Sequence, residues 1–154
     1  MGSPYVGRTA ERVSMSLGAG SLCAGRSTMH VLIADDHQGI RDNLRWLLKE
    51  QQPRWRLSEA ASGQEALAFF GKKGPDVAVL DIVMAPMGGI AAAYQIRRTY
   101  PGTKIIFISN HYDMREGSAV TRSLGVGAFV PKADLVSLLV PTIKRLLAEG
   151  SRLL

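Results

Sequence analysis

Four short runs of apolar and β-branched residues punctuate the chain: HVLIADD, DVAVLD, TKIIFIS and GAFVPK. Each closes on polar residues, the Asp35-Asp36-His37 tripeptide, Asp81, Ser109 and Lys132 in turn. Nearly continuous apolar runs of this length predict strands buried on both faces, as in a parallel sheet. Between them the apolar period changes to that of helices. Ile40, Leu44, Leu47 and Leu48 make the stripe of a core-facing helix in IRDNLRWLLKE, which Pro53 closes. RLSEAA predicts a further, less apolar strand, and SGQEALAFFGKKG a short helix with Gly punctuation at its end. Pro75 starts the next strand, and Pro101 stops a helix in GIAAAYQIRRTY. DMREGSAVTRSLG predicts a fourth helix with Gly117 weakening its middle. ADLVSLLVPTIKRLLAEG predicts a fifth, with Leu135, Leu138, Leu139, Ile143 and Leu146 on one face and a kink at Pro141.

The resulting order is five βα units, and right-handed crossovers wind such units into an α/β, doubly wound parallel sheet with helices on both faces. The carboxyl ends of the strands then lie side by side, so the four polar strand ends converge in one crevice.

Composition narrows the setting. A chain of 154 residues, 46% hydrophobic, supports a single core and one domain. The lone Cys23 forms no internal disulfide, which fits a reducing, cytoplasmic location. No apolar stretch approaches the roughly 20 residues that span a bilayer, so a soluble protein with no membrane partner is expected. The net charge of +6 and pI near 9.8 raise the question of nucleic acid. The bases, however, are scattered in pairs such as Arg54/Arg56, Lys72/Lys73 and Arg97/Arg98, the pattern of solvated helix ends and loops. Nucleic acid is therefore not the expected partner of this chain alone. Residues 1–28, rich in Gly, Ser and Ala and without periodicity, read as a disordered extension before a folded domain at 29–149 and a short tail at 150–154. An acid-poor leader of this kind also has the composition of a transit peptide; a start codon upstream of a natural start at Met29 is the simpler reading.

The candidate chemistry lies at the strand ends. Asp36 alone would serve equally well as a helix cap or a metal ligand. Asp81 tips the balance, because three clustered carboxylates call for a hard divalent cation, and Mg2+ suits a few carboxylates with waters and phosphate oxygens. Lys132 in the same crevice would pair with Asp81 when the site is empty and with a phosphoryl oxygen when it is loaded. The Ser109 hydroxyl is a donor within reach of such a group.

The set VLIADDH, VLDIVMAPMGG, IIFISNH and GAFVPK resembles the receiver domain of bacterial two-component response regulators. ADDH with Arg41 four residues on is most similar to the subfamily often fused to LuxR-type DNA-binding domains. The resemblance covers residues 29 to about 149 and implies a flavodoxin-like sheet of five strands, order 2-1-3-4-5, with five helices. It further implies that Asp81 accepts a phosphoryl group from a sensor histidine kinase or phosphotransfer protein. Asp36 and Asp81 would bind Mg2+ by their carboxylates, Asp35 directly or through water, and Val83 by its main-chain carbonyl. Ser109 and Lys132 would hold the phosphoryl oxygens, and Phe129 would be the aromatic switch that turns inward. The signal would leave through the helix 4–strand 5–helix 5 face, to a downstream protein or a second copy. Phosphoryl transfer is mainly positioning and charge neutralisation, which these groups supply.

Several positions depart from the family pattern. Ala85-Pro86 and Gly88 imply a looser loop after Asp81. Asn110 stands where a small Ala or Gly is usual and would act as an access gate to Asp81. Phe129 lacks a Tyr hydroxyl and one possible hydrogen bond. Two other functions compete. A haloacid-dehalogenase-type phosphatase also uses an aspartyl phosphate, but needs an acid two residues after the nucleophile, where this chain has Val83. A receiver-like interaction module that is never phosphorylated is favoured by Asn110 and opposed by the intact Asp81, Asp36 and Lys132. Too few residues follow the fifth helix for a helix-turn-helix of roughly 60 residues. The expectation is a stand-alone receiver, sink or relay, or the front half of a transcription factor.

Overall fold

The structure, a computed structural model, describes residues 28–152. The expected N-terminal extension lies outside the described residues except for Thr28. Five strands, β1 (His30–Ala34), β2 (Arg56–Ala60), β3 (Val77–Asp81), β4 (Lys104–Ser109) and β5 (Ala128–Pro131), form one sheet in the order β2-β1-β3-β4-β5. Every pairing is parallel, with Ala34 beside Ala60 and Leu80, and Asp81 beside Ile108. Helices α1 (Gln38–Gln51), α2 (Gly63–Leu67), α3 (Gly89–Thr99) and α4 (Met114–Leu124) are the crossovers, and α5 (Leu135–Arg152) follows the last strand.

The continuous apolar runs exist because both sheet faces are covered. Along β1, Val31 and Ile33 point to one side and Leu32 and Ala34 to the other, the period-2 alternation of a strand. The first face packs under α1 through Leu44, Leu47 and Leu48, and under α5 through Leu135, Leu139, Ile143 and Leu146. The second packs under α2 and α3, where Ala66, Ala92, Ala93 and Ile96 bring the helices close. With no polar face to present, β1 and β3 are buried along their whole length, and the only outlets for polar side chains are the strand ends.

Two helices differ from the sequence reading. The second stops at Leu67: Ser62 caps it, accepting from the Glu65 N–H, but Phe69 and Phe70 then donate to Ala66 and Leu67 in tighter turns. The Phe70 ring leaves the helix to pack, tilted by 46°, against Tyr100, centroid to centroid 4.9 Å, and the helix ends before its Gly signal. The fifth begins at Leu135, behind a 3-10 turn at Lys132–Asp134; as expected, Pro141 lies inside it.

Gly117 has a packing reason that helix propensity conceals. A Cβ there would lie 2.1 Å from the Phe129 ring, which rests on the helix backbone. Gly117→Ala is expected to destabilise the domain by roughly 1–3 kcal/mol through overpacking, against the ~1 kcal/mol that Ala gains over Gly in a helix. Urea denaturation of the two proteins measures the sign; a more stable Ala variant would show that the ring yields freely.

Candidate functional site

Asp35 leaves β1 still paired, its N–H donating to the Ala60 carbonyl (3.1 Å) while the Arg41 guanidinium donates to its own carbonyl (2.7 Å). The backbone is thus held from two sides and the side chain has nowhere to turn but into the crevice, where it is fully buried. His37, not Asp36, is the N-cap residue of α1, and it makes no side-chain cap bond. Asp36 is therefore not spent on capping. Asp81 ends β3, its Oδ1 accepting from the Val83 N–H (3.2 Å). Gly89 lets the first turn of α3 meet that strand end: a Cβ there would lie 2.2 Å from the Asp81 carbonyl oxygen. Ser109 is buried at the end of β4, one residue beyond the Asp81–Ile108 pair. Its Oγ accepts from the His111 N–H (2.9 Å), which leaves the hydroxyl proton free to donate to an anion.

Lys132 closes the constellation. Its Nζ lies 2.7 Å from Asp35 Oδ2 and 3.1 Å from Asp81 Oδ2, with all three side chains almost wholly buried. Burial works against the ammonium, but the bonds and charges of both carboxylates outweigh it, and its pKa is raised. Asp81 is also raised, by burial first and then by the charge of Asp35, against the pull of Lys132 and the Val83 N–H. The ionised Asp81 is thus held under electrostatic strain, which suits a group whose conversion to an ester or whose partnership with a cation relieves it.

The donor set fits a divalent cation. Ligand atoms of Asp35, Asp36, His37 and Asp81 lie within 4.8 Å of one another. Apart from its ion pair with Lys132, Asp35 Oδ2 is buried with no hydrogen-bond partner. Three carboxylates facing one ammonium leave two negative charges unbalanced, the charge of one such ion.

The structure therefore brings together Asp35, Asp36, Asp81, Ser109 and Lys132. Phe129 is buried, on the opposite sheet face from Val130 and against Gly117. Val83 is about half exposed beside Asp81, and Asn110 is exposed next to Ser109. The loop after Asp81 carries a cis Ala85-Pro86 bond and runs close to the strand end, with Gly88 backing onto the Ile82 carbonyl. Sequence reasoning gave no role to His37, Arg41 or His111. Their contacts near the pocket are local, within six residues, although Arg41 also reaches Glu59 on β2 (3.6 Å), and the ADDH string with its following Arg was the one available signal.

Comparison with known proteins points to the family and the fold. The response regulator receiver domain family matches residues 31–141. The response regulator protein VraR of Staphylococcus aureus is 32% identical over 100 residues, 65% of this chain and 46% of that protein. An uncharacterized transcriptional regulatory protein of Bacillus subtilis, YhcZ, is 35% identical over 85 residues, 55% of this chain and 40% of that one. The chain thus spans less than half the length of these relatives. Among solved structures, a LuxR-family two-component response regulator from Aurantimonas sp. SI85-9A1 superposes with a TM-score of 0.68 at 30% identity, covering 80% of this chain and 87% of the other. A CheY-like receiver domain protein from Methanospirillum hungatei JF-1 gives 0.72 at 25% identity, covering 82% and 98%. The family match over residues 31–141 shows that the chain belongs to the response regulator receiver domain family.

Proposed function

We propose that this domain, residues 29–149, is a cytoplasmic phosphoaccepting switch that takes a phosphoryl group from a sensor histidine kinase or phosphotransfer protein onto Asp81. The observation that supports it most is the Lys132 ammonium bridging Asp35 and Asp81 at the bottom of a pocket with three carboxylates. Mg2+ would be held by Asp36 and Asp81, by Asp35 directly or through water, and by the Val83 carbonyl; bound there, it would neutralise charge on the transferring phosphoryl group. An Asp81 carboxylate oxygen attacks phosphorus in line, and the donor's nitrogen leaves with the bonding pair. Lys132 then exchanges its contact with Asp81 for a phosphoryl oxygen, and Ser109 donates its hydroxyl proton to another. Phe129 reports that change to the face made by α4, β5 and α5, through which a downstream protein or a second copy is engaged. The domain acts as a signalling element and not as an enzyme with a released product.

Beryllium fluoride, a phosphoryl mimic, tests this reading when added with and without Mg2+. The expected result is a saturable change in the spectra of residues on β4, β5 and α5 that needs both. A receiver-like module that is never phosphorylated would show no coupled change.

Asn110 bears on the lifetime of the phosphoryl group. It is exposed and directly follows Ser109, where its amide would stand beside the path by which donor or water reaches Asp81. Asn110→Ala is expected to speed both labelling by acetyl phosphate and decay of the aspartyl phosphate, by about tenfold for each ~1.4 kcal/mol of barrier removed. Unchanged rates for both would show that the amide stays clear of the path.

A further inference from the structure

The pocket has a nitrogen on its rim that a magnesium site does not need. His37 Nδ1 lies 2.9 Å from Asp36 Oδ1 and 3.3 Å from Asp35 Oδ1, and the His37 N–H donates to the same Asp35 oxygen (2.9 Å). The backbone bond fixes the root of the side chain, and Nδ1 is the ring atom that faces the carboxylates. The ring itself is mostly exposed, about 71%. No packing holds it there, and its orientation comes from the two carboxylates. One ligand atom from each of Asp35, Asp36, Asp81 and His37 lies within 4.8 Å of the others, so three carboxylates and one imidazole converge.

We propose that His37 is a metal ligand through Nδ1 and that this pocket accepts an imidazole-preferring divalent transition metal in competition with Mg2+. The inference rests on the reading of the pocket as a cation site and adds to it a choice of metal. A site of carboxylates, a carbonyl and waters is hard and suits Mg2+, which is reluctant to shed water for nitrogen. One imidazole changes the ranking, because imidazole suits Co2+, Ni2+ and Zn2+ where Mg2+ prefers oxygen, and affinity for such a site rises from Mn2+ through Co2+ to Ni2+ and Cu2+ before falling at Zn2+. His37 thereby makes the identity of the bound metal depend on which ion is available, with Asp36 and Asp81 common to both.

Isothermal titration of the full chain with Mg2+ and, separately, with Co2+ tests this, using wild type and His37→Asn. Asn keeps a polar N-cap for α1 but is a poor ligand for Co2+. The expected result is that Co2+ binds wild type more tightly than Mg2+ does, that the ratio of Co2+ to Mg2+ affinity falls at least tenfold in His37→Asn, and that the visible absorption of bound Co2+ changes as a nitrogen is lost. An unchanged ratio, with both metals still binding, overturns the role of His37 and leaves the cation site standing. If neither metal binds wild type, the cation site itself is overturned, and this inference with it.

Discussion

Replacing Asp81 with Asn is expected to abolish labelling by acetyl phosphate and Mg2+ while making the protein more stable. Loss of label follows because no other carboxylate at a strand end combines burial, the Lys132 ammonium and the neighbouring Ser109 hydroxyl. The gain in stability follows from electrostatics. Burial and Asp35 raise the Asp81 pKa, so in the folded state its proton is held more tightly than in the unfolded chain. Below the unfolded value, near 3.9, both states are protonated and nothing is lost. As pH rises through the higher folded value, the native state gives up a proton it prefers to keep, and stability falls. Asn carries no such charge, and Lys132 keeps its partner Asp35. The melting temperature of Asp81→Asn should exceed that of wild type at pH 7, by about 4 °C for each ~1 kcal/mol relieved in a domain of this size. The gap should close as pH falls toward 4. Calorimetry across that range in metal-free buffer measures it, and a variant less stable at pH 7 would show that the ionised carboxylate is a net contributor to the fold.

Removing the cation should do the opposite. Lys132→Ala leaves Asp35 and Asp81 facing each other in a buried crevice, and breaking a buried pair by deleting one partner costs about 3–5 kcal/mol, because the remaining charge is uncompensated. Two carboxylates remain here, so the upper part of that range is expected. The loss should be partly reversed by millimolar Mg2+, since a divalent ion supplies the missing positive charge and binding to the folded state alone stabilises it. Urea unfolding with and without Mg2+ measures both effects. A loss below ~1 kcal/mol would mean that water enters and screens the pair, and a loss that Mg2+ leaves untouched would place the metal away from these carboxylates.

The fold was legible because both sheet faces are covered, which writes β1, β3, β4 and β5 as apolar runs with polar residues at their ends, while the edge strand β2 stays more polar and exposed. Asp35, Asp81, Ser109 and Lys132 were legible for the same reason, as strand ends of a parallel sheet converge whatever their spacing in the chain. Other features needed distances. The Gly in the fourth helix reads as weakness by propensity, and only the 2.1 Å approach to the Phe129 ring shows what it accommodates. The early stop of α2 goes with the packing of Phe70 against Tyr100, thirty residues away in the chain and silent in local pattern. His37 was visible as a residue, but its chemistry depends on which way the ring nitrogen faces. Asp36 alone was ambiguous between cap and ligand; Asp81 favoured the ligand, and in the structure the N-cap position of α1 falls on His37.

Borohydride trapping tests the central claim most directly. An aspartyl phosphate is an acyl phosphate, and borohydride reduces it to a homoserine side chain that stays on the peptide. After incubation with acetyl phosphate and Mg2+, the account expects homoserine at residue 81, at that position alone, and absent when Mg2+ is chelated. Homoserine at Asp35 or Asp36 instead, or none under conditions in which a known receiver domain is labelled, would contradict it.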